Sequence, residues 1–143
     1  MIRIQEFAEN LKNLKVYLTG RYMTACIEHL IKLAIFDSSN NINHWRQEVY
    51  ANFHNISKQK SNNKYPKAEF MLKTIWNYYG DDLEKYVKFV IEEEKDEKIK
   101  TDVTIKDVTD KIYEYILWLV VNLSLYGEVK STDVYDKLKE LGL

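Results

Sequence analysis

The chain has 143 residues, of which 45% are hydrophobic and 30% are charged, with 21 Lys and Arg against 22 Asp and Glu. This composition excludes intrinsic disorder, which goes with few apolar residues and a large net charge. A single cysteine excludes a disulfide scaffold, and four Gly and one Pro exclude a collagen-like or linker-like chain. We therefore expect one folded domain over residues 1–143, long enough to bury a substantial core.

No targeting or membrane segment is predicted. The N-terminal residues lack a basic region followed by an apolar run and a cleavage site. The longest apolar stretch, 115–126, is well short of the roughly 20 residues that a spanning helix needs. We therefore expect a cytoplasmic protein, and the abundance of residues with AT-rich codons indicates a microbial or phage gene.

The first third of the chain has the apolar spacing of amphipathic helices. Residues 3–18 are apolar at i, i+3, i+4 and i+7, and Gly20 is expected to end this helix. A second helix is expected at about 21–36, with a wider apolar face that places it deeper in the core. The polar turn 37–41 precedes a third helix at about 43–58. The positions of the first stripe are Ile4, Phe7, Ala8, Leu11, Leu14 and Leu18.

The remaining sequence predicts further helices. One follows Pro66 and one follows the capping residues 80–82, while a Thr104 capping box begins another. The stretch 115–126 is apolar nearly all round, so the helix at about 105–125 is expected to be central, and a short helix closes the chain. The fold class is therefore all-α, a single compact bundle of six to seven helices. A split into two domains at the charged stretch 92–102 is the less favoured alternative.

Catalytic and metal-binding constellations are not recognisable, and no cofactor is expected. None of the three histidines, at 29, 44 and 54, follows a Glu at i+3, as a di-iron bundle requires. Arg21–His29 and Arg46–His54 are each separated by seven residues, about 12 Å along a helix, which is far for shared chemistry on one phosphodiester. A metal-independent helical ribonuclease is therefore only the third hypothesis. Cys26 lies on an apolar face, and the four glycines are too far apart for a phosphate loop.

Charge is segregated along the chain: residues 1–72 carry +4 and residues 73–143 carry −5. A basic loop at 58–67 combines lysines with an aromatic residue, a combination that contacts phosphates and stacks on bases. A solvated loop explains the same residues, as a solvated helix end explains the acidic run 92–97. The candidate contact residues for nucleic acid or a partner are Lys58, Lys60, Lys64, Tyr65 and Lys67.

Eleven tyrosines exceed what a core of this size readily buries, and exposed Tyr is typical of protein interfaces. We expect Trp45, Trp76 and Trp118 to anchor the core, and the following tyrosines to be candidates for exposure: Tyr78, Tyr79, Tyr113 and Tyr126. The segment 126–143 resembles the opening of a winged-helix domain, with a long helix, a turn, a capped short helix and a Gly turn. A terminal helix that closes the bundle explains the same residues, so DNA recognition is not carried over.

These observations favour a non-enzymatic helical module that binds another protein or itself. Immunity or antitoxin-like inhibitors, defence or phage adaptors, and subunits of larger assemblies belong to this class. The alternative is a nucleic-acid-binding subunit of a ribonucleoprotein or a regulator that uses the basic loop. No small-molecule site is predicted.

Overall fold

The computed structural model describes residues 2–59, 67, 69, 72, 73, 75, 77, 82–126 and 129–143. Within them the all-α prediction is confirmed, and the one β-type pairing is an isolated antiparallel bridge between Phe36 and Ile99. The predicted number of six to seven helices is not confirmed. The helix expected after Pro66 falls largely outside the described residues, although 69, 72, 73, 75 and 77 are helical. The described residues form five named helices: α1 (Ile2–Ile35), α2 (Ile42–Ser57), α3 (Leu83–Glu93), α4 (Ile105–Tyr126) and α5 (Ser131–Glu140).

The first helix is a single element of 34 residues, so the prediction that Gly20 ends a helix is wrong. Glycine in a helix interior costs only about 0.5–1 kcal/mol relative to alanine. The apolar stripe continues on the far side of Gly20 and buries Met23, Cys26 and Ile27 in the core. Burial of that face outweighs the local helix-stop signal, and two predicted helices become one.

Helix α1 is the helix around which the others pack. It forms an antiparallel hairpin with α2, shown by the contacts of His29 with His44 and of Cys26 with Val49, and it also packs against α3 and α4. Helix α5 packs against α2. The buried apolar side chains of all these helices form one cluster that runs from Met23 to Leu141.

The helix at 105–125 is present as predicted, but it is not the central one. It buries Val108, Ile112, Tyr115 and Leu119, among others, yet leaves an apolar face open to solvent. Its N-terminus is the predicted capping box, in which the Asp107 amide donates to the Thr104 hydroxyl at 3.1 Å. The apolar residues at 115–126 therefore lie on two sides of the helix, one packed in the core and the other exposed to solvent.

The charged stretch after α3 is fastened to the end of α1. The Asp37 amide donates to the Lys98 carbonyl at 2.7 Å, and the Lys100 amide donates to the Ile35 carbonyl at 2.8 Å. The Lys100 ammonium also donates to the Leu33 carbonyl at 3.0 Å. The two Lys100 bonds satisfy carbonyls that the C-terminus of α1 would otherwise leave unpaired. We call residues 94–100 the clasp.

Candidate interaction surfaces

The N-terminal half of α1 extends beyond the core and keeps most of its apolar side chains in water, although Val16 and Leu18 are half-buried. We call residues 3–18 the arm. Ile4 is 71% exposed and Phe7 is 69% exposed, whereas the isoleucines and leucines of α1 after residue 22 are buried. Contiguous exposed apolar surface of this kind marks interaction sites. We call the exposed set the arm stripe: Ile4, Phe7, Leu11, Leu14 and Tyr17.

A second exposed apolar surface lies on α4, and we call it the ridge. Its members follow one another at intervals of four residues, so they lie in one row along the helix. Leu125 at the end of the row is 70% exposed. The ridge consists of Tyr113, Leu117, Val121 and Leu125.

The basic loop is described in part. Lys58 and Lys67 are exposed, while Lys60, Lys64 and Tyr65 lie outside the described residues. Lys58 is also the C-cap of α2, where a cation is favourable beside the helix dipole. A structural role accounts for that residue, and nucleic-acid binding by the loop stays a prediction.

The histidines are placed by the hairpin of α1 and α2. The rings of His29 and His44 meet edge-on with centroids 6.4 Å apart, and Nδ1 of His29 lies 2.8 Å from the Ala25 carbonyl oxygen. His54 is exposed, with its ring against Phe53. Within the described residues no group of three or more His, Cys, Asp or Glu side chains is arranged to hold a metal ion.

The two arginines of the ribonuclease hypothesis, Arg21 and Arg46, have surroundings different from those given above for the histidines. The Arg46 guanidinium donates to the Leu143 carbonyl at 3.2 Å, between α2 and the end of α5. Arg21 lines a surface groove of about 430 Å³ with Tyr17 and Gly20, at the junction of the arm and the core. The ribonuclease hypothesis stays a prediction.

Cys26 and Tyr115 are buried in the core between α1, α2 and α4. The Cys26 thiol lies 3.4 Å from the Val49 carbonyl, and burial raises its pKa far above the ordinary value. Burial likewise raises the pKa of Tyr115, whose hydroxyl has no hydrogen-bond partner among the described residues. A neutral, enclosed thiol is a packing group rather than a nucleophile.

In the acidic run at 92–97, two glutamates form contacts within the fold and two are exposed. Glu94 accepts from the Lys32 ammonium at 2.8 Å, and Glu97 accepts from the Asn41 side-chain amide. Glu92 and Glu93 are exposed. The run therefore contacts α1 through Lys32 and the start of α2 through Asn41, and Glu92 and Glu93 face solvent.

The sequence predicts part of the ridge, through Tyr113, but does not predict that the arm stripe is exposed. Tyr113 is exposed as expected, Trp45 is buried and Trp118 is half-buried. Trp76, Tyr78 and Tyr79, and the side chain of Tyr126, lie outside the described residues. The spacing at 3–18 predicts an amphipathic helix but does not show what covers its apolar face. Residues 4–17 hold seven apolar positions against ten in residues 23–36, and this narrower apolar face is the signal that separates the arm from the part of α1 after Gly20.

Comparison of the chain with protein-family models, with curated proteins and with solved structures finds no match. The described helices include none that is both long enough and apolar enough to cross a membrane.

Proposed function

We propose that this chain is a non-enzymatic protein-docking module, and that the arm stripe is its principal contact surface. The observation that carries the proposal is the projection of an ordered apolar stripe beyond the core, with Ile4 and Phe7 about seven-tenths exposed. An apolar helix face in water gains free energy when a second protein surface covers it.

The arm has the form that helix-mediated recognition uses. Anchors at i, i+3, i+7 and i+10 lie on one side of a helix, which is how an amphipathic helix enters a groove or pairs with another helix. Because α1 is continuous with the core, the arm is already helical before contact. Little conformational entropy is then lost on binding.

The test is co-purification of a tagged chain with proteins of its own cells, using two variants that are matched in exposure. Phe7→Glu places a charge on the arm stripe, and Leu125→Glu places the same charge on the ridge. We expect the wild type and Leu125→Glu to retain the same bound protein, and Phe7→Glu to lose it.

Retention of that protein by Phe7→Glu would contradict the assignment to the arm. An untagged copy of the chain, co-expressed in the same cells, separates self-association from binding of a different protein. If the wild type co-purifies with no partner and has a monomeric mass, the proposed function is overturned.

A further inference from the structure

We infer that the arm pairs with the arm of a second copy of this chain, in antiparallel orientation. This inference rests on the proposed function and names the partner. The first observation is spacing, since the apolar residues of the arm alternate at intervals of three and four. That is the seam of a two-stranded coiled coil, in which positions a and d of a seven-residue repeat face the partner. The exposed seam consists of Ile4, Phe7, Leu11 and Leu14, and Leu18 continues the spacing but is half-buried.

The position of the core decides the orientation. Full burial on α1 begins at Thr19, and Asn77 of another element already lines a groove with Tyr17. Two arms side by side in parallel would bring both cores to the same end of the pair, where they collide. Antiparallel arms place the cores at opposite ends and leave both stripes free to meet.

The same steric limit fixes the register. With Ile4 opposite Leu14 of the second copy, and Phe7 opposite its Leu11, the overlap is confined to the two arms. A shift by one repeat would place Ile4 opposite Arg21 of the second copy. That position lies beyond Thr19, so the arm would enter the space of the other core.

The flanking residues are compatible with this register. The two-fold axis passes beside residue 9, and the positions that flank the seam there are Ala8 and Asn10, which are small or neutral. Further out, Arg3 faces Tyr17 of the second copy, a favourable cation–aromatic contact. Glu6 and Glu9 fall on the outer positions of the repeat. Like charges therefore do not oppose one another across the seam.

The area is adequate for a stable pair. From their exposed fractions, the five residues of the arm stripe present roughly 600 Å² per copy, so complete burial of both stripes would remove about 1,200 Å² from water, the lower bound for specific interfaces. Flanking side chains and backbone add to this area. The ridge has a row of comparable length, but its intervals of four do not form a two-stranded seam.

The mass in solution tests the pairing. Sedimentation or light scattering at concentrations up to about 100 µM should give a dimer for the wild type and for Leu125→Glu, and a monomer for Phe7→Glu. Circular dichroism of Phe7→Glu should show a folded chain, since Phe7 is 69% exposed and contributes little to the core. A monomeric wild type would overturn the inference, and so would a dimer that Phe7→Glu leaves intact. If a different protein still binds through the arm of a monomeric chain, the inference fails while the proposed function stands.

A crosslinking experiment tests the orientation. Arg3→Cys and Tyr17→Cys chains are mixed and treated with a short bis-maleimide; the native Cys26 is fully buried and does not react in the folded state. We expect a crosslinked dimer from the mixture and none from either chain alone, since only the antiparallel pair brings residue 3 of one copy near residue 17 of the other. A dimer whose mixture gives no crosslink would overturn the antiparallel order.

Discussion

Tyr115 is the residue whose environment is least compatible with its chemistry. Its side chain is 1% exposed, and its hydroxyl lacks a hydrogen-bond partner among the described residues. A hydroxyl removed from water without a replacement bond lowers the stability of the folded state, while the ring itself contributes by packing. The two parts of this side chain therefore act in opposite directions on the free energy of unfolding.

Tyr115→Phe should raise the free energy of unfolding by about 1–2 kcal/mol, because it removes the unpaired hydroxyl and keeps the ring. Urea denaturation measures the change. Tyr135→Phe is the matched control, since Tyr135 is exposed and its change should stay within about 0.5 kcal/mol. A loss of stability in Tyr115→Phe would mean that the hydroxyl is bonded in solution.

The same variant should alter the response to alkaline pH. Burial raises the pKa of Tyr115 and of Cys26 in the folded state. Both side chains therefore stay neutral in the folded chain at alkaline pH values at which they ionise in the unfolded chain. The free energy of unfolding is therefore unaffected by these two groups below their unfolded pKa values. It declines as the pH rises above about 9 for the thiol and about 10 for the phenol, because only the unfolded chain then loses these protons. Melting temperatures between pH 8 and 11 should therefore fall less steeply in Tyr115→Phe than in the wild type.

At the scale of the element, α4 shows that one helix carries two apolar faces with different roles. Leu123 is 1% exposed and Leu125, two residues later, is 70% exposed. Two residues correspond to a rotation of about 200° on a helix, so these leucines point in nearly opposite directions. Although α4 is apolar on nearly all sides over 115–126, it is therefore not enclosed by the other helices.

Leu123→Ala should lower the free energy of unfolding by about 2–5 kcal/mol, because it leaves a cavity in the core. Leu125→Ala changes the same side chain on the same helix and should have an effect within about 0.5 kcal/mol. Chemical denaturation of both variants makes the comparison. Similar losses from both would show that the ridge is covered in the isolated chain.

The helices themselves were largely predictable, because their signals are local. The third helix was expected at 43–58 and is observed at 42–57, and the helix at 105–125 is observed at 105–126. Gly20 was misread because helix-stop rules do not include the tertiary burial that carries α1 onward. The exposure of the arm stripe could not be predicted, because periodicity shows that a helix has an apolar face but not what covers that face. The bonds of the clasp join residues more than 55 positions apart, for which the sequence holds no local signal.

At the scale of the whole molecule, the clasp joins the end of α1 to the segment between α3 and α4. Glu94 accepts from Lys32, whose side chain is largely buried, and the Asp37 and Lys100 amides complete the junction. An ion pair that is partly shielded from water is stronger than one on the open surface, although the exposure of Glu94 moderates it. Its effect should be local, because the core of α1 does not depend on it.

Glu94→Gln should speed hydrogen exchange at the Asp37 and Lys100 amides several-fold and leave exchange at residues 26–31 of α1 unchanged. Glu92→Gln removes an exposed carboxylate from the same run and serves as the control. Amide exchange followed by NMR or mass spectrometry gives the readout. Equal acceleration along all of α1 would show that the clasp supports the whole fold rather than one junction.

The continuity of α1 through Gly20 has a mechanical consequence. A helix without a break transmits bending and twisting, so a load applied at Ile4 reaches the packing of α1 against α2 instead of being absorbed by a loose tether. The arm of residues 3–18 then acts as a strut about 24 Å long. Whatever is fastened to its tip is held at a set distance and rotation from the remainder of the molecule, which is the property of a spacer.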